Sequence, residues 1–137
     1  MKAGPAIYGI LSANAGVSAL VSTRIFPDVA AQGTAFPFVV YNLQEITPSD
    51  TKSGVSTLDE ERYDIISVST SYTEVISISE ACRTALDRYS GTVNSVTVQS
   101  IQFTDFNTDF DADNEVYIAV LEIIIRVKRW ELHLLKD

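Results

Sequence analysis

The sequence predicts an α+β fold with the element order α–β–β–α–β–β. Apolar residues recur at helical spacing between Ile7 and Val21 and again between Val75 and Tyr89. Four other segments alternate apolar and polar residues, or run apolar on both faces, as strands do. This order favours a four-stranded, mainly antiparallel sheet with its helices packed on one face.

The N-terminal region is predicted to hold two short helices. Ile7, Ile10 and Leu11 share one face of the first helix. Asn14 is a suitable N-cap for the second helix, whose apolar residues are Val17, Leu20 and Val21. Pro27 closes this region, and residues 28–35 are predicted to form a loop.

Two strands and a long loop are predicted next. Phe36 to Ile46 forms the first strand, with Pro37 at its start or on an edge because proline cannot donate to the ladder. Residues 47–57 are rich in Pro, Ser, Asp, Thr and Gly, which predicts a loop longer than a hairpin turn. Leu58 to Ser71 forms the second strand.

A helix follows with clear start signals. Ser71 can cap its first turn and Glu74 places an acid there, and Gly91 is predicted to end it as a C-cap. A third strand is expected from Val93 to Thr104, with a bulge near Gln99 where the apolar phase shifts.

The C-terminal region is predicted to contain an acidic loop, a long strand and a tail. The loop covers residues 105–115, and the strand runs from Val116 to Arg129. Both faces of this strand are largely apolar, so we expect both to be covered, one of them by another subunit. Trp130 to Asp137 is interpreted as a short tail of one domain spanning residues 1–137.

Composition excludes several classes of function. The 137 residues carry a formal net charge of −8, which disfavours bulk DNA binding because phosphate neutralisation needs a basic surface. The single cysteine, Cys82, allows no internal disulfide and is expected to be a small buried hydrophobe. No stretch approaches the ~20 apolar residues of a membrane helix, so no membrane association is expected. We expect no cofactor.

The acidic segment is the strongest candidate for metal chemistry. Asp105, Asn107 and Asp109 repeat at every second position, as an EF-hand loop begins. Phe110 stands where that loop needs Gly, and Val116 where it needs Glu, so we interpret the segment as a solvated loop.

Signals for catalysis are weak. The run Asp59 to Glu61 is interpreted as a solvated charge run, and the single histidine, His133, as a surface residue. Neither a nucleophile elbow nor a Gly-rich phosphate loop is readable. The sequence therefore predicts a non-enzymatic protein.

Residues 17–41 combine four features in one order: a short helix end, an Arg-Ile-aromatic-Pro step, an Ala-Gln-Gly-Thr loop and a Pro-aromatic-Val-Val-Tyr strand. This order resembles the opening of the tail-completion proteins of long-tailed bacteriophages, also called tail-terminator or head–tail joining proteins. The matching residues are Val17, Leu20, Val21, Arg24, Ile25, Phe26, Pro27, Ala31, Gln32, Gly33, Thr34, Pro37, Phe38, Val39, Val40 and Tyr41.

The resemblance implies a homo-oligomeric ring, expected to be a hexamer, at the head-proximal end of the tail. Such a ring ends tail-tube polymerisation and joins the tail to the head. Its expected partners are the tail tube protein and a head-connector or head-closure protein, with DNA passing through the lumen without specific binding. The expected location is the virion, after assembly in the host cytoplasm. Within the Arg-Ile-aromatic-Pro step, Ile25 and Phe26 are expected to anchor the loop, and Arg24 is expected to cap a helix end.

Two alternatives stay open: a head-closure or connector protein of the same neck, and a soluble regulatory binding domain. Candidate partner-binding residues lie in the two polar loops and the apolar tail. They are Pro48, Ser49, Asp50, Thr51, Lys52, Asp105, Asn107, Asp109, Asp111, Asp113, Trp130, Leu132, Leu134 and Leu135.

Overall fold

The computed structural model describes residues 3–48 and 58–128, which form three helices and six strands. The elements are α1 (Ala3–Ala13), α2 (Ala15–Val21), β1 (Ile25–Pro27), β2 (Phe38–Pro48), β3 (Leu58–Ser69), α3 (Tyr72–Leu86), β4 (Gly91–Val93), β5 (Val96–Asp111) and β6 (Val116–Lys128). The α+β class is confirmed. The prediction of four strands is wrong, because β1 and β4 are three-residue strands, too short to show a periodicity.

The strands form one sheet in the order β1-β2-β3-β6-β5-β4. Every neighbouring pair is antiparallel except β1 and β2, which are parallel. The two long central strands, β3 and β6, pair from Leu58 opposite Lys128 to Ser69 opposite Tyr117. The short strands lie at the two edges of the sheet.

Both predicted helix starts are confirmed by their caps. The Asn14 side chain accepts a hydrogen bond from the Val17 N–H at 3.0 Å at the start of α2. The Ser71 hydroxyl accepts from the Glu74 N–H at 3.4 Å at the start of α3. Each cap gives an otherwise unpaired N–H of the first turn a partner.

The predicted end of α3 at Gly91 is wrong. The helix ends at Leu86, and Gly91 begins β4 with φ +143°. Contacts with β5 end the helix early: the Arg88 N–H donates to the Ile101 carbonyl at 2.8 Å, and the Asp87 carboxylate accepts from the Phe103 N–H at 3.1 Å. These partners are distant in sequence, so local signals could not reveal them.

The predicted acidic loop at 105–115 is also wrong, because β5 runs on to Asp111 and forms a long hairpin with β6. The alternation of acids is the period of a strand with one polar face. The predicted bulge is confirmed as a register shift between Val98 and Ser100. A second shift lies between Phe103 and Asp105.

The core lies between the helices and one face of the sheet, as predicted. α1 and α2 contribute Ile7, Leu11, Val17 and Val21, and α3 contributes Ile78, Cys82 and Leu86. From the central strands come alternate residues, among them Tyr63 and Ile65 of β3 and Leu121, Ile123, Ile125 and Val127 of β6.

Gly9 of α1 lets the edge strand β4 approach closely. A Cβ at this position would lie 2.5 Å from Val93 Cγ1 and 2.7 Å from Asn94 Nδ2, so it would clash sterically with both side chains. The Asn94 side chain in turn donates to the Pro5 carbonyl at 2.9 Å. The contact with α1 therefore helps to position β4.

Candidate assembly surface

The sheet has an inner face, which packs against the helices, and an outer face, whose side chains do not belong to the hydrophobic core. Along β6 the residues alternate between buried and half-exposed, so Ile123 belongs to the inner face and Ile124 to the outer face. β3 alternates in the same way. Of the two apolar faces predicted for β6, the described helices thus cover one.

One half of the outer face is apolar, and we call it the apolar patch. The register places Phe38, Val68 and Ile118 side by side on β2, β3 and β6. In the next outer row, Ile66 and Val120 lie beside each other. These five residues are half-exposed, and the exposed Phe36 ring stacks on Phe38 with centroids 5.6 Å apart.

The other half of the outer face is charged, and we call it the ion-pair band. Arg62 of β3 lies 3.3 Å from Glu45 of β2 and 3.8 Å from Glu122 of β6. Arg126 of β6 contacts Glu60 of β3 at 2.7 Å. Cross-strand pairs of opposite charge suit a solvated sheet face.

Acids still outnumber bases within this band. Asp64 lies directly opposite Glu122. Burial is the main cause that raises the pKa of Asp64, the Glu122 carboxylate is the second, and the Arg62 guanidinium lowers it. Neighbouring like charges disfavour the ionised form. The band is therefore an acidic surface that its two arginines neutralise only in part.

The interpretation of residues 59–61 as a solvated charge run is wrong. Glu60 is paired with Arg126 in the ion-pair band. Glu61 faces inward, is fully buried, and accepts hydrogen bonds from the Ala3 N–H at 3.3 Å and the Tyr63 hydroxyl at 3.2 Å. Its carboxylate lies at the N-terminus of α1, where the helix dipole favours negative charge.

The predicted acidic residues of β5 lie along the outer border of the apolar patch. Asn107 pairs with Val120 and Asp109 with Ile118 in the ladder. Asp105 and Asp109 each accept a hydrogen bond at 2.8 Å from the N–H of the following residue. These carboxylates thus accept hydrogen bonds from backbone N–H groups of β5, and the bonds are a local alternative to pairing with another strand.

Asp111 forms the hairpin turn rather than a ligand site. Its carboxylate accepts from the Asn114 side chain at 2.8 Å and from the Asp113 N–H at 3.0 Å. The hydrogen bonds from Asn114 lower the pKa of Asp111. Among residues 3–48 and 58–128, no group of three or more His, Cys, Asp or Glu side chains is placed to hold a metal ion.

The far end of the β5–β6 hairpin is held against α3 by three aromatic rings. Tyr117 lies edge-on to Tyr72 at 5.6 Å and contacts Phe110 at 4.8 Å, between ring centroids. Tyr72 and Phe110 stay 50% and 46% exposed. The hairpin end is therefore anchored while it presents aromatic surface.

The other predicted site residues fall into two groups. Pro48 ends β2 opposite Asp59, so the predicted loop begins later than residue 47. Ser49, Asp50, Thr51, Lys52 and the four tail residues Trp130, Leu132, Leu134 and Leu135 lie outside the described residues. The apolar patch was not among the predicted site residues, although the two-sided strand Val116 to Arg129 was its signal in the sequence.

The Arg-Ile-Phe-Pro step joins the helices to the sheet. Ile25 is buried in the core, as predicted for an anchor. Arg24 does not cap a helix: its Nε donates to the Pro37 carbonyl at 2.7 Å, and its own carbonyl accepts from the Val39 N–H at 2.9 Å. Arg24 thereby ties the start of β2 to the parallel strand β1.

Two further expectations concern Cys82 and the membrane. Cys82 is fully buried on α3, as predicted, and burial raises the pKa of its thiol to about 12. Within the described ranges, no single helix is long and apolar enough to cross a membrane; α1 and α2 meet those criteria only as a pair, bent by 83°.

Comparison with known families decides the assignment. The family model described as "Tail completion protein gp17" matches residues 5–128, which include every element described above except the first two residues of α1. The chain belongs to this tail completion family. It is a structural component of a phage-type virion, in its tail or neck.

A solved structure has the same fold as this tail completion protein. It is a chain of the "Virion of native gene transfer agent (GTA) particle", with a TM-score of 0.76 and 17% sequence identity. The match covers 89% of this chain and 91% of that chain. No curated protein sequence matches the chain.

Proposed function

We propose that this tail completion protein forms a homo-oligomeric ring, a hexamer, at the head-proximal end of the tail. The ring ends polymerisation of the tail tube and presents the surface that joins the tail to the head. Its partners are the tail tube protein on one side and a head-connector or head-closure protein on the other. The role is non-enzymatic, and assembly takes place in the host cytoplasm.

The observation that carries the proposal is the apolar patch on the outer face. Phe38, Val68 and Ile118 lie there side by side, and the Phe36 ring stacks on Phe38. Apolar surface of this kind, bordered by polar groups, is typical of protein interaction sites. A contact between this patch and a different surface of the next copy is heterologous, and heterologous contacts that close produce rings.

The net charge of −8 supports a lumen through which DNA passes. A basic lumen would hold the phosphate backbone by charge neutralisation, whereas an acidic wall gives no such binding. The partly neutralised ion-pair band and the acids of β5 supply acidic surface of this kind.

A head-closure or connector protein of the same neck is the alternative within this assembly, and a soluble regulatory domain is the alternative outside it. The outer face, which the described helices leave uncovered, also suits the first alternative, because each neck ring must contact its neighbours. A regulatory domain would be monomeric, so a ring in purified protein argues against it.

Removing the gene from a producing cell tests the role. We expect filled heads without tails, alongside free tails of which some are overlong, because an open stack has no intrinsic end. Purified protein added to such a lysate should restore joining. Normal-length tails attached to heads without this protein, seen by electron microscopy, would refute the proposal.

A pair of substitutions tests the ring contact itself. Ile118→Asp places a charge in the apolar patch, and Ile124→Asp places the same charge on the same strand and face, within the ion-pair band. We expect only Ile118→Asp to abolish rings in negative-stain images, with circular dichroism unchanged for both. Equal loss of rings in both variants would exclude the patch as the specific contact.

A further inference from the structure

A second apolar surface lies on the inner side of the sheet, between α3 and the outer half of β5. It is a groove of ≈ 300 Å³ whose walls include Ile76 of α3, Phe103 and Phe106 of β5, and Leu121 of β6. The Arg83 guanidinium lies over the Phe103 ring, 4.0 Å from its centroid. This volume lies at the lower end of the range, about 300–1,000 Å³, of sites that bind apolar groups.

The groove contains a polar atom that has no hydrogen-bond partner in the part of the chain that the structure describes. Ser79 lines it and is 4% exposed, and its Oγ has no hydrogen-bond partner among the described residues. Buried hydroxyls in native proteins almost always have one. An occupant that brings a hydrogen-bonding group would therefore complete the site.

The groove lies beside a strand edge that is open in the described structure. β4 pairs with β5 only from Val96 to Val98. After Val98, the backbone of Ile101 and Phe103 forms hydrogen bonds with the connection between α3 and β4. Farther along the described edge, the N–H groups of Phe106 and Phe110 donate to the carboxylates of the preceding residues, Asp105 and Asp109. A segment of another chain can thus approach Phe106 along this edge without displacing a strand.

We propose that residues 129–137 of a second copy occupy this groove, with Trp130 and Leu132 inserted between α3 and β5. The inference deepens the proposed ring and rests on it, because the ring brings a second copy close. The contact joins two different surfaces, as a closed ring requires. The indole N–H of Trp130 is a donor of the kind that the Ser79 Oγ can accept.

The sequence of the segment suits the groove. Trp130, Leu132 and Leu134 alternate with polar residues, so an extended backbone would present all three on one side. Arg129 and Lys136 balance Glu131 and Asp137, so the segment has no formal net charge (+2 − 2), while the whole chain has −8. The segment therefore adds no net repulsion when it approaches another acidic copy.

Chain length determines which copy supplies the segment. The groove spans Phe103 and Phe106, which pair with Ile123 and Leu121, five and seven residues before Lys128 on β6. These separations correspond to about 16 and 23 Å along the strand. Trp130 and Leu132 follow Lys128 by two and four residues, and an extended backbone of that length spans at most about 7 and 14 Å. In its own copy Trp130 and Leu132 therefore fall short of the groove, so a neighbour must supply these two side chains.

Cysteine pairs test the contact in the full-length chain. Ile76→Cys on one copy and Leu132→Cys on another should form a mixed disulfide when the two proteins are mixed and mildly oxidised. Ser77→Cys is the matched control, because Ser77 is exposed on α3 and does not line the groove. Cys82 is fully buried, so it should not compete.

The double variant Ile76→Cys, Leu132→Cys distinguishes a contact between copies from a contact within one chain. We expect a ladder of linked chains on a non-reducing gel that ends at the ring number. A monomer with an internal disulfide, or equal linking to Ser77→Cys, would overturn the inference.

Tryptophan emission gives a second measurement, because Trp130 is the only tryptophan in the chain. Its emission should shift to shorter wavelength as concentration rises and the segment docks. Phe106→Ser should raise the protein concentration at which the emission shift is half complete roughly tenfold or more, because truncation of a central aromatic contact weakens binding by that much. Phe110→Ser, on the same strand and face but outside the groove, should leave it unchanged. Identical curves for both variants and the parent would contradict docking in the groove.

Imaging of the same samples separates this inference from the proposed function. Rings without the disulfide or the emission shift would overturn the inference and leave the ring intact. The disulfide ladder without a closed ring would support the inference and refute the ring.

Discussion

The inner and outer faces of β3 and β6 belong to the same strands but have different roles. On the inner face Tyr63, Ile65, Leu121 and Ile123 are buried under the helices. On the outer face one end of the strands is apolar and the other carries the ion pairs, and most of the side chains are partly exposed. Apolar alternation alone therefore does not identify the core, because a strand can keep a second apolar face for another chain.

The largest expected effect separates two adjacent isoleucines. Ile123→Ala should destabilise the protein by about 2–5 kcal/mol, because Ile123 is 1% exposed and its loss leaves a cavity. Ile124→Ala, on the outer face, should cost less than about 1 kcal/mol in the free monomer. Urea unfolding measures both free energies. Equal losses would mean that the outer face is as closely packed as the inner one.

A second pair compares two adjacent glutamates. Glu61→Ala leaves the buried Ala3 N–H and Tyr63 hydroxyl without this acceptor, which should lower the free energy of unfolding by about 1–3 kcal/mol. Glu60→Ala breaks the partly exposed pair with Arg126 and should cost about 0–1 kcal/mol, because solvent still screens the two charges. The order of the two denaturation midpoints checks the prediction, and a reversed order would contradict it.

The smallest expected effect depends on pH and involves Asp64. Its pKa is raised in the folded protein, so the native state holds the proton more tightly than the unfolded chain does. The ionised carboxylate therefore destabilises the fold, and this penalty grows as pH rises from the ordinary Asp range through the raised pKa. Asp64→Asn should raise stability at neutral pH by less than about 1 kcal/mol, with no gain in acid below the ordinary Asp pKa.

Thermal unfolding of Asp64→Asn and the parent protein at several pH values measures this difference. A gain that stays constant into the acid range would show that the effect comes from packing rather than from charge. A loss of stability at neutral pH would show that Asp64 gains more from Arg62 than burial and Glu122 cost it.

The long elements were predictable, and the short or interrupted ones were not. The N-caps Asn14 and Ser71 and the main strands follow from local signals that act within a few residues. The end of α3 depends on Arg88 and Asp87 reaching β5. The acids from Asp105 to Asp111 looked like a loop because their composition is polar, although their spacing was already that of a strand.

The candidate site was predictable only in part. The two-sided β6 indicated a second interface, but its patch combines Phe38 of β2 with Val68 of β3, and only the register brings them together. The inner groove gave no signal in the sequence, because Ile76 and Phe106 belong to elements with unrelated periodicities.

Periodicity, caps and an ordered run of residues are local properties, so the class of fold, the positions of the helices and long strands, and the family can be inferred without a structure. Only the folded structure shows that Glu61 partners the N-terminus of α1, that β4 approaches α1 at Gly9, and which apolar face the described helices leave uncovered. The physical reason is that these features depend on the free energy of groups far apart in the chain. Burial, hydrogen-bond partners and neighbouring charges exist for such groups only after the sheet has formed.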